Sequence, residues 1–157
     1  MHNHENYVFN YNQITEYIYI GNNQCCHLKL DELLIKEDIY ADLSLEELLV
    51  DNPVGAKAFL WVPIKNNTAP DNYQIKLTTD FIRTNVDMRK KIYVHCQNGH
   101  GRAPTVVIAY LMSTGKSFSE AFSLVQAKRP EIHLDVVQEK FLENLFIDTI
   151  PPIRSGS

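Results

Sequence analysis

An α/β fold, a mainly parallel central sheet flanked by helices on both faces, is predicted by three features of this 157-residue sequence. Short apolar runs with strand character alternate along the chain with longer segments of helical spacing. One run, Ile92-Tyr93-Val94, ends at His95 and Cys96 and gives way to a glycine-containing loop. The apolar stretch Val106-Val107-Ile108-Ala109-Tyr110-Leu111-Met112 then reads as a buried helix, which completes a strand, loop and helix succession. The length fits one domain over 1–157, enough to bury roughly 68–70% of the unfolded surface without disulfide staples.

Taken in order, residues 1–12, MHNHENYVFNYN, are polar and aromatic and read as a surface arm or an edge strand. His2 and His4 are metal ligands by type, but a frayed terminus accounts for them without a metal. Residues 16–20 alternate enough to form a strand, and Gly21-Asn22-Asn23 stops it. Leu28, Leu30, Leu33, Leu34 and Ile35 recur at rough helical spacing, which predicts a short helix. Cys25 and Cys26 stand just before it; either is a candidate resolving thiol for an oxidised Cys96, and small half-buried side chains are the plainer reading.

Residues 38–43 predict the next strand, Asp51-Asn52-Pro53 breaks the chain, and 58–64 predict another. A helix over 72–88 opens at Asp71 with Gln74 at capping-box spacing; Ile75, Ile82 and Val86 form its core stripe beside Thr78 and Asn85. Gly115 stops the helix after the loop, and Ser117 with Glu120 makes a second capping box for a helix to Lys128. Arg129-Pro130 ends that helix. Asp135-Val136-Val137-Gln138 opens the last one, where Phe141, Leu142, Leu145 and Phe146 recur at three- and four-residue steps. Residues 151–157 read as a flexible tail.

Composition narrows the partners. A net charge of -4 argues against nucleic acid, whose backbone calls for a basic face. No apolar run approaches the ~18 residues of a membrane span. Without a recognisable signal peptide the expectation is a cytoplasmic protein, and three cysteines, an odd number, fit a reducing compartment.

The chemistry concentrates in KIYVHCQNGHGRAPT, residues 91–105. Backbone N–H groups of a glycine-containing loop at a helix N-terminus lack intrahelical acceptors and form a concave anion site, which the helix dipole reinforces. Arg102 adds a planar fork of donors matched to two phosphate oxygens. Cys96 then lies at the base of a cradle for a tetrahedral dianion, where positive potential favours the thiolate. A thiolate under a bound phosphate is a nucleophile aimed at phosphorus.

His95-Cys96, five intervening residues and Arg102 are similar to the loop of cysteine-based protein phosphatases, and HCQNGHGR resembles their dual-specificity branch. Ser44-Leu45-Glu46-Glu47 resembles the capped turn of that family, and Arg129, Pro130, Gln138, Phe141 and Leu142 match its "RP...Q..FL" pattern. The resemblance covers about 16–146. It implies that Cys96 attacks phosphorus to form phosphocysteine, that Arg102 grips equatorial oxygens, and that Gln97, Asn98, Gly99, His100, Gly101 and Arg102 bind the phosphate. His95 is expected to be a buried partner that orders the loop. His100, at the crown, faces either substrate or solvent, and a substrate-facing imidazole makes binding pH-dependent.

Two positions depart from the family pattern. In the register of Val62-Pro63-Ile64-Lys65, the Asp that protonates the leaving oxygen is replaced by Asn66, and an amide cannot act as the acid; such a loss typically removes ~10²–10⁴ in rate. Asp71 is a candidate replacement, while a helix cap explains it without any chemistry. After the loop arginine, most relatives carry Ser or Thr, whose hydroxyl stabilises the sulfur as a leaving group. Ala103 has no such donor, and Thr105, two residues on, points elsewhere. GRAP resembles the variant in phosphatases of regenerating liver, although the final PPIRSGS carries no prenylation box.

The reading implied is a slow cysteine-dependent phosphatase acting as a monomer on phosphorylated protein or peptide, tyrosine and serine or threonine alike, with no cofactor, metal or membrane. Its rival is a phosphatase-fold module that binds a phosphorylated or protein partner. A third reading is action on a small phosphorylated metabolite or inositol phosphate. The loop contains no lysine, which weakens a lipid substrate.

Overall fold

The computed structural model describes residues 8–22 and 27–145, with the side chains of 27–29 set aside. Cys25, Cys26, His2, His4, Phe146 and the tail 151–157 lie outside the described residues, as does the side chain of Leu28. Along the chain run β1 (Tyr11–Gln13), β2 (Ile18–Gly21), α1 (His27–Lys36), β3 (Ala41–Ser44), β4 (Ala58–Trp61), α2 (Asn72–Asp87), β5 (Ile92–His95), α3 (Arg102–Ser113), α4 (Phe118–Lys128) and α5 (Val136–Glu143).

The strands form one sheet in the order β1-β2-β5-β3-β4, antiparallel at β1 and β2 and parallel elsewhere. Side chains of successive strand residues point to opposite faces, and this alternation divides the core in two. Ile18, Ile20, Ala41, Leu43, Ile92 and Val94 pack with residues of α2, α3, α4 and α5. Tyr19 and Tyr93 point the other way, onto Leu30, Leu33 and Leu34 of α1. Both faces are thus covered, which is why all four residues of β5 are buried. His95 at the end of β5 registers with Gly21 on one side and Ser44 on the other. The parallel strands therefore finish together, and the loops that leave them converge on one edge of the sheet, where open α/β folds bind ligands.

Strand boundaries shift from those predicted, each for a local reason. The predicted 16–20 strand begins only at Ile18, because the Thr15 hydroxyl accepts the Ile18 and Tyr17 amides and folds 14–17 into a turn. The 38–43 strand begins at Ala41. Asp38 adopts φ of 53°, and the Ile39 amide donates to Leu34 O at 2.8 Å, so both residues finish α1. The 58–64 strand stops at Trp61; Pro63 has no N–H to donate, although Val62 and Ile64 still donate to Ser44 O and Leu45 O.

The helix ends fall close to their signals. Asp71 and Gln74 cap α2 reciprocally, Ser117 and Glu120 cap α4 in the same way, and Gly115 follows α3 with φ of 105°. Residues 11–13, at the end of the predicted arm, are the edge strand β1. No helix among the described residues is long and apolar enough to cross a membrane.

Candidate active site

Cys96 follows β5 directly and is 2% exposed, so the central strand fixes its depth. The chain then turns through residues 97–101 into α3. Gly99 makes the turn with φ of 69° and donates its amide to Cys96 Sγ at 3.3 Å. A Cβ there would meet Gly21 O at 2.5 Å and Arg129 Nη2 at 2.8 Å, so both backbone angle and space require glycine.

Behind the loop lies Arg129, fully buried. Its Nε donates to Gly99 O at 2.9 Å and its Nη2 to Asn98 O at 3.1 Å, while Nη1 and Nη2 reach the side-chain oxygens of Asn12 and Asn10 at 2.8 and 2.7 Å. Charge-assisted hydrogen bonds of this kind are about twice as strong as neutral ones. One cation thereby ties the loop's convex side to β1. The segment after Arg129 is bonded to the loop as well, since the His133 amide donates to His100 O at 2.8 Å.

Arg102 opens α3 with its guanidinium buried. Nη1 donates to Ile64 O at 2.8 Å and Leu45 O at 3.3 Å, and Nη2 lies 3.5 Å from Glu46 Oε1. The ends of β3 and the chain beyond β4 therefore orient the arginine. Burial raises the Glu46 carboxyl above its ordinary range, and the charge of Arg102 offsets part of that.

His95 is fully buried, stacked on Tyr93, with Nε2 3.0 Å from Asp42 Oδ1 and 3.3 Å from Asp51 Oδ2. Burial alone pulls its pKa down, but the negative charges of Asp42, Asp51 and Glu46 prevail and raise it. The Asp42 carboxyl is in turn raised by burial, with His95 opposing. Asp42, Asp51 and His95 place ligand-type atoms within 4.8 Å of one another. Nε2 lies between both carboxylates, at ion-pair distance from each.

Above Cys96 opens a cavity of about 180 Å³ lined by polar side chains and glycine. The loop between β5 and α3 contributes Cys96, Asn98, His100 and Gly101, with Arg102 at the start of α3; the loop after β4 contributes Asn66 and Asn67; the approach to α5 contributes His133, Asp135 and Gln138. His100 thus faces the cavity. Its pKa is lowered, first by burial and then by the charge of Arg129, which leaves a neutral imidazole at pH 7.

Of the residues singled out from sequence, Asn66 lies in the cavity wall, while Gln97 is exposed and His95 supports from behind. Asp71 is outside the wall; its Oδ1 accepts the Gln74 amide at 2.7 Å as the cap of α2. Ala103 is fully buried, and the Thr105 hydroxyl donates to Gly101 O at 2.7 Å rather than to sulfur. Sequence reasoning did not assign Asp42, Glu46, Asn67, His133 or Asp135 to the site, and gave Gln138 only as part of a pattern. Gln138 is 1% exposed, donates to Thr68 O at 3.1 Å and accepts the Asp135 amide at 2.9 Å, joining α5 to the loop after β4.

The family model for the dual specificity phosphatase catalytic domain matches residues 18–146. The chain is similar to phosphatidylglycerophosphate phosphatase PTPMT2 of Arabidopsis thaliana, 31% identical over 113 residues, 71% of this chain and 45% of that protein. It is also similar to human dual specificity protein phosphatase 5, 29% identical over 120 residues, 74% of this chain and 30% of that one. The chain spans about half the length of these curated relatives or less. Among solved structures, Tk-PTP in its active form superposes with a TM-score of 0.74 at 29% identity, covering 85% of this chain and 96% of the other.

Proposed function

The chain belongs to the dual specificity phosphatase catalytic-domain family, and on that premise we propose that it hydrolyses phosphomonoesters through a phosphocysteine on Cys96. The observation that carries this reading is the placement of Cys96 at the floor of a polar cavity, with the Gly99 amide on its sulfur and Arg102 in the wall. Cys96 Sγ attacks phosphorus as the P–O bond to the leaving group breaks; water then cleaves the S–P bond and releases phosphate. Arg102 grips the equatorial oxygens, and its bonds to Ile64 O and Leu45 O hold the guanidinium in place for that task. His95, held beside the buried carboxylates of Asp42 and Asp51, fixes the end of β5 beneath the sulfur. With Ala103 after Arg102, the second step is the slow one.

Phosphorylated protein is the substrate class suggested by relatives named dual specificity protein phosphatases. A polyol phosphate, free or as a lipid headgroup, is a second reading favoured by the wall itself. Asn66, Asn67, Asn98, His133 and Gln138 offer hydrogen bonds to hydroxyls, and among the described residues no Phe, Tyr, Trp or aliphatic side chain lines the cavity to hold a phenyl ring. A relative named phosphatidylglycerophosphate phosphatase points the same way.

The test compares wild type with Cys96→Ser on an aryl phosphate, tyrosine and serine phosphopeptides, and glycerol or inositol phosphates. The proposal requires Cys96→Ser to abolish turnover of whichever substrate wild type cleaves. Equal rates for the two proteins would leave a binding module in its place.

A further inference from the structure

We propose that Asp135 is the acid and base of this site, the group that protonates the leaving oxygen and later deprotonates the attacking water. The inference rests on the phosphatase reading above and supplies the group that Asn66 cannot be.

Among the described residues that line the cavity, Asp135 is the only carboxylate. The two residues on the loop after β4, where such an acid is expected, are Asn66 and Asn67, and both face the cavity as amides. Asp71 and Asp135 each form a capping box at a helix start, with Gln74 and Gln138, but only Asp135 stands in the wall, and Glu46 is paired with Arg102. The other titratable or charged groups that face Asp135 across the cavity are Cys96, His100 and Arg102 from the phosphate loop and α3, and His133 from its own segment. Neutral His100 has no acidic proton to give at pH 7.

Asp135 is also held in position from three sides. Its amide donates to Gln138 Oε1, Gln138 Nε2 donates to Thr68 O, and the His133 amide two residues before it donates to His100 O. Gln138 packs so closely on the loop's end that a Cβ on Gly101 would lie 3.1 Å from its Oε1. The carboxylate therefore stands on a frame bonded to both opposing walls, the condition for reproducible proton transfer. Position 135 escapes a sequence search because an Asp three residues before Gln138 reads as a helix cap and nothing more.

The protons balance over one turnover. As Sγ–P forms and P–O breaks, the P–O electron pair goes to the leaving oxygen, which takes the proton of the Asp135 carboxylic acid and departs as an alcohol. Water then attacks phosphorus and gives a proton to the Asp135 carboxylate while the S–P pair returns to sulfur. Phosphate leaves, with Asp135 protonated and Cys96 a thiolate once more.

The experiment measures kcat/KM for wild type, Asp135→Asn, Asp135→Ser, His133→Gln and Asp71→Asn across aryl and alkyl phosphates of increasing leaving-group pKa. Asp135→Ser keeps a helix-capping oxygen without an acid, so it separates capping from catalysis. Both Asp135 variants are expected to lose about 10²–10⁴-fold on alkyl phosphates and far less on nitro-activated aryl phosphates. They should also lose the limb of the kcat–pH profile that reports the acid, and should keep vanadate binding. A loss equal across the series, or a leaving-group-dependent loss in His133→Gln or Asp71→Asn instead, overturns the assignment. Absence of Cys96-dependent turnover in wild type on every phosphate sinks the phosphatase reading itself, and this proposal with it.

Discussion

Ala103 is fully buried at the first turn of α3, one residue after Arg102, which the proposed mechanism sets on the phosphate. In the proposed mechanism, with no hydroxyl there, the sulfur leaves phosphorus unaided when water attacks. Ala103→Ser is expected to speed breakdown of phosphocysteine by roughly 10²-fold, the lower side of what one positioned donor contributes. Single-turnover quench of the labelled enzyme measures it, and an unchanged breakdown rate would show that the slow step lies elsewhere. His95 carries a second residue-scale prediction. Its pKa is raised in the folded protein by the charges of Asp42, Asp51 and Glu46 acting against burial. A raised pKa contributes stability that is full below the unfolded value of about 6.5 and is lost as pH rises through the folded value. The stability gap between wild type and His95→Gln should therefore be larger at pH 6 than at pH 8.5 in urea denaturation; a gap that widens with pH contradicts the buried ion pair.

That Cys96 and Arg102 share one cavity wall was legible because five residues of a single loop separate them. Asn66 was legible only in register with Val62-Pro63-Ile64. Asp42, Glu46 and Asp135 were not, because each lies far along the chain and meets the loop only once the sheet and α5 are in place.

At the scale of elements, the capping residues read correctly from sequence because a cap is a contact between residues three apart. The strand boundaries did not, since Thr15, Asp38 and Pro63 each act through one or two local bonds made or missing. The element contact with most consequence is invisible locally. Arg129, beyond α4, joins Asn10 and Asn12 around β1 to the backs of Asn98 and Gly99. Arg129→Met removes the cation and leaves two loop carbonyls without that donor. With an unmet buried polar group costing ~1–3 kcal/mol, a loss of about 3 kcal/mol or more is expected in denaturant unfolding. Vanadate affinity should fall in the same variant, since the loop's curvature loses its rear support. Retained stability and retained vanadate binding together would show that the loop holds its shape without the clamp.

At the scale of the whole molecule, the alternation of strand and helix along the chain was enough to predict a mainly parallel sheet covered on both faces. It was not enough to predict strand order. That order puts β5 between β2 and β3, buries Cys96 at the centre of the sheet's edge, and brings the loop after β4 and the start of α5 to either side of it. The catalytic account depends on that one sulfur forming a bond to phosphorus. Intact-protein mass spectrometry after mixing with an aryl phosphate and rapid acid quench tests it most directly. The account predicts one added phosphoryl group, located on the peptide that carries Cys96 and missing from Cys96→Ser. Steady turnover with no adduct in wild type, or the same adduct in Cys96→Ser, would contradict it.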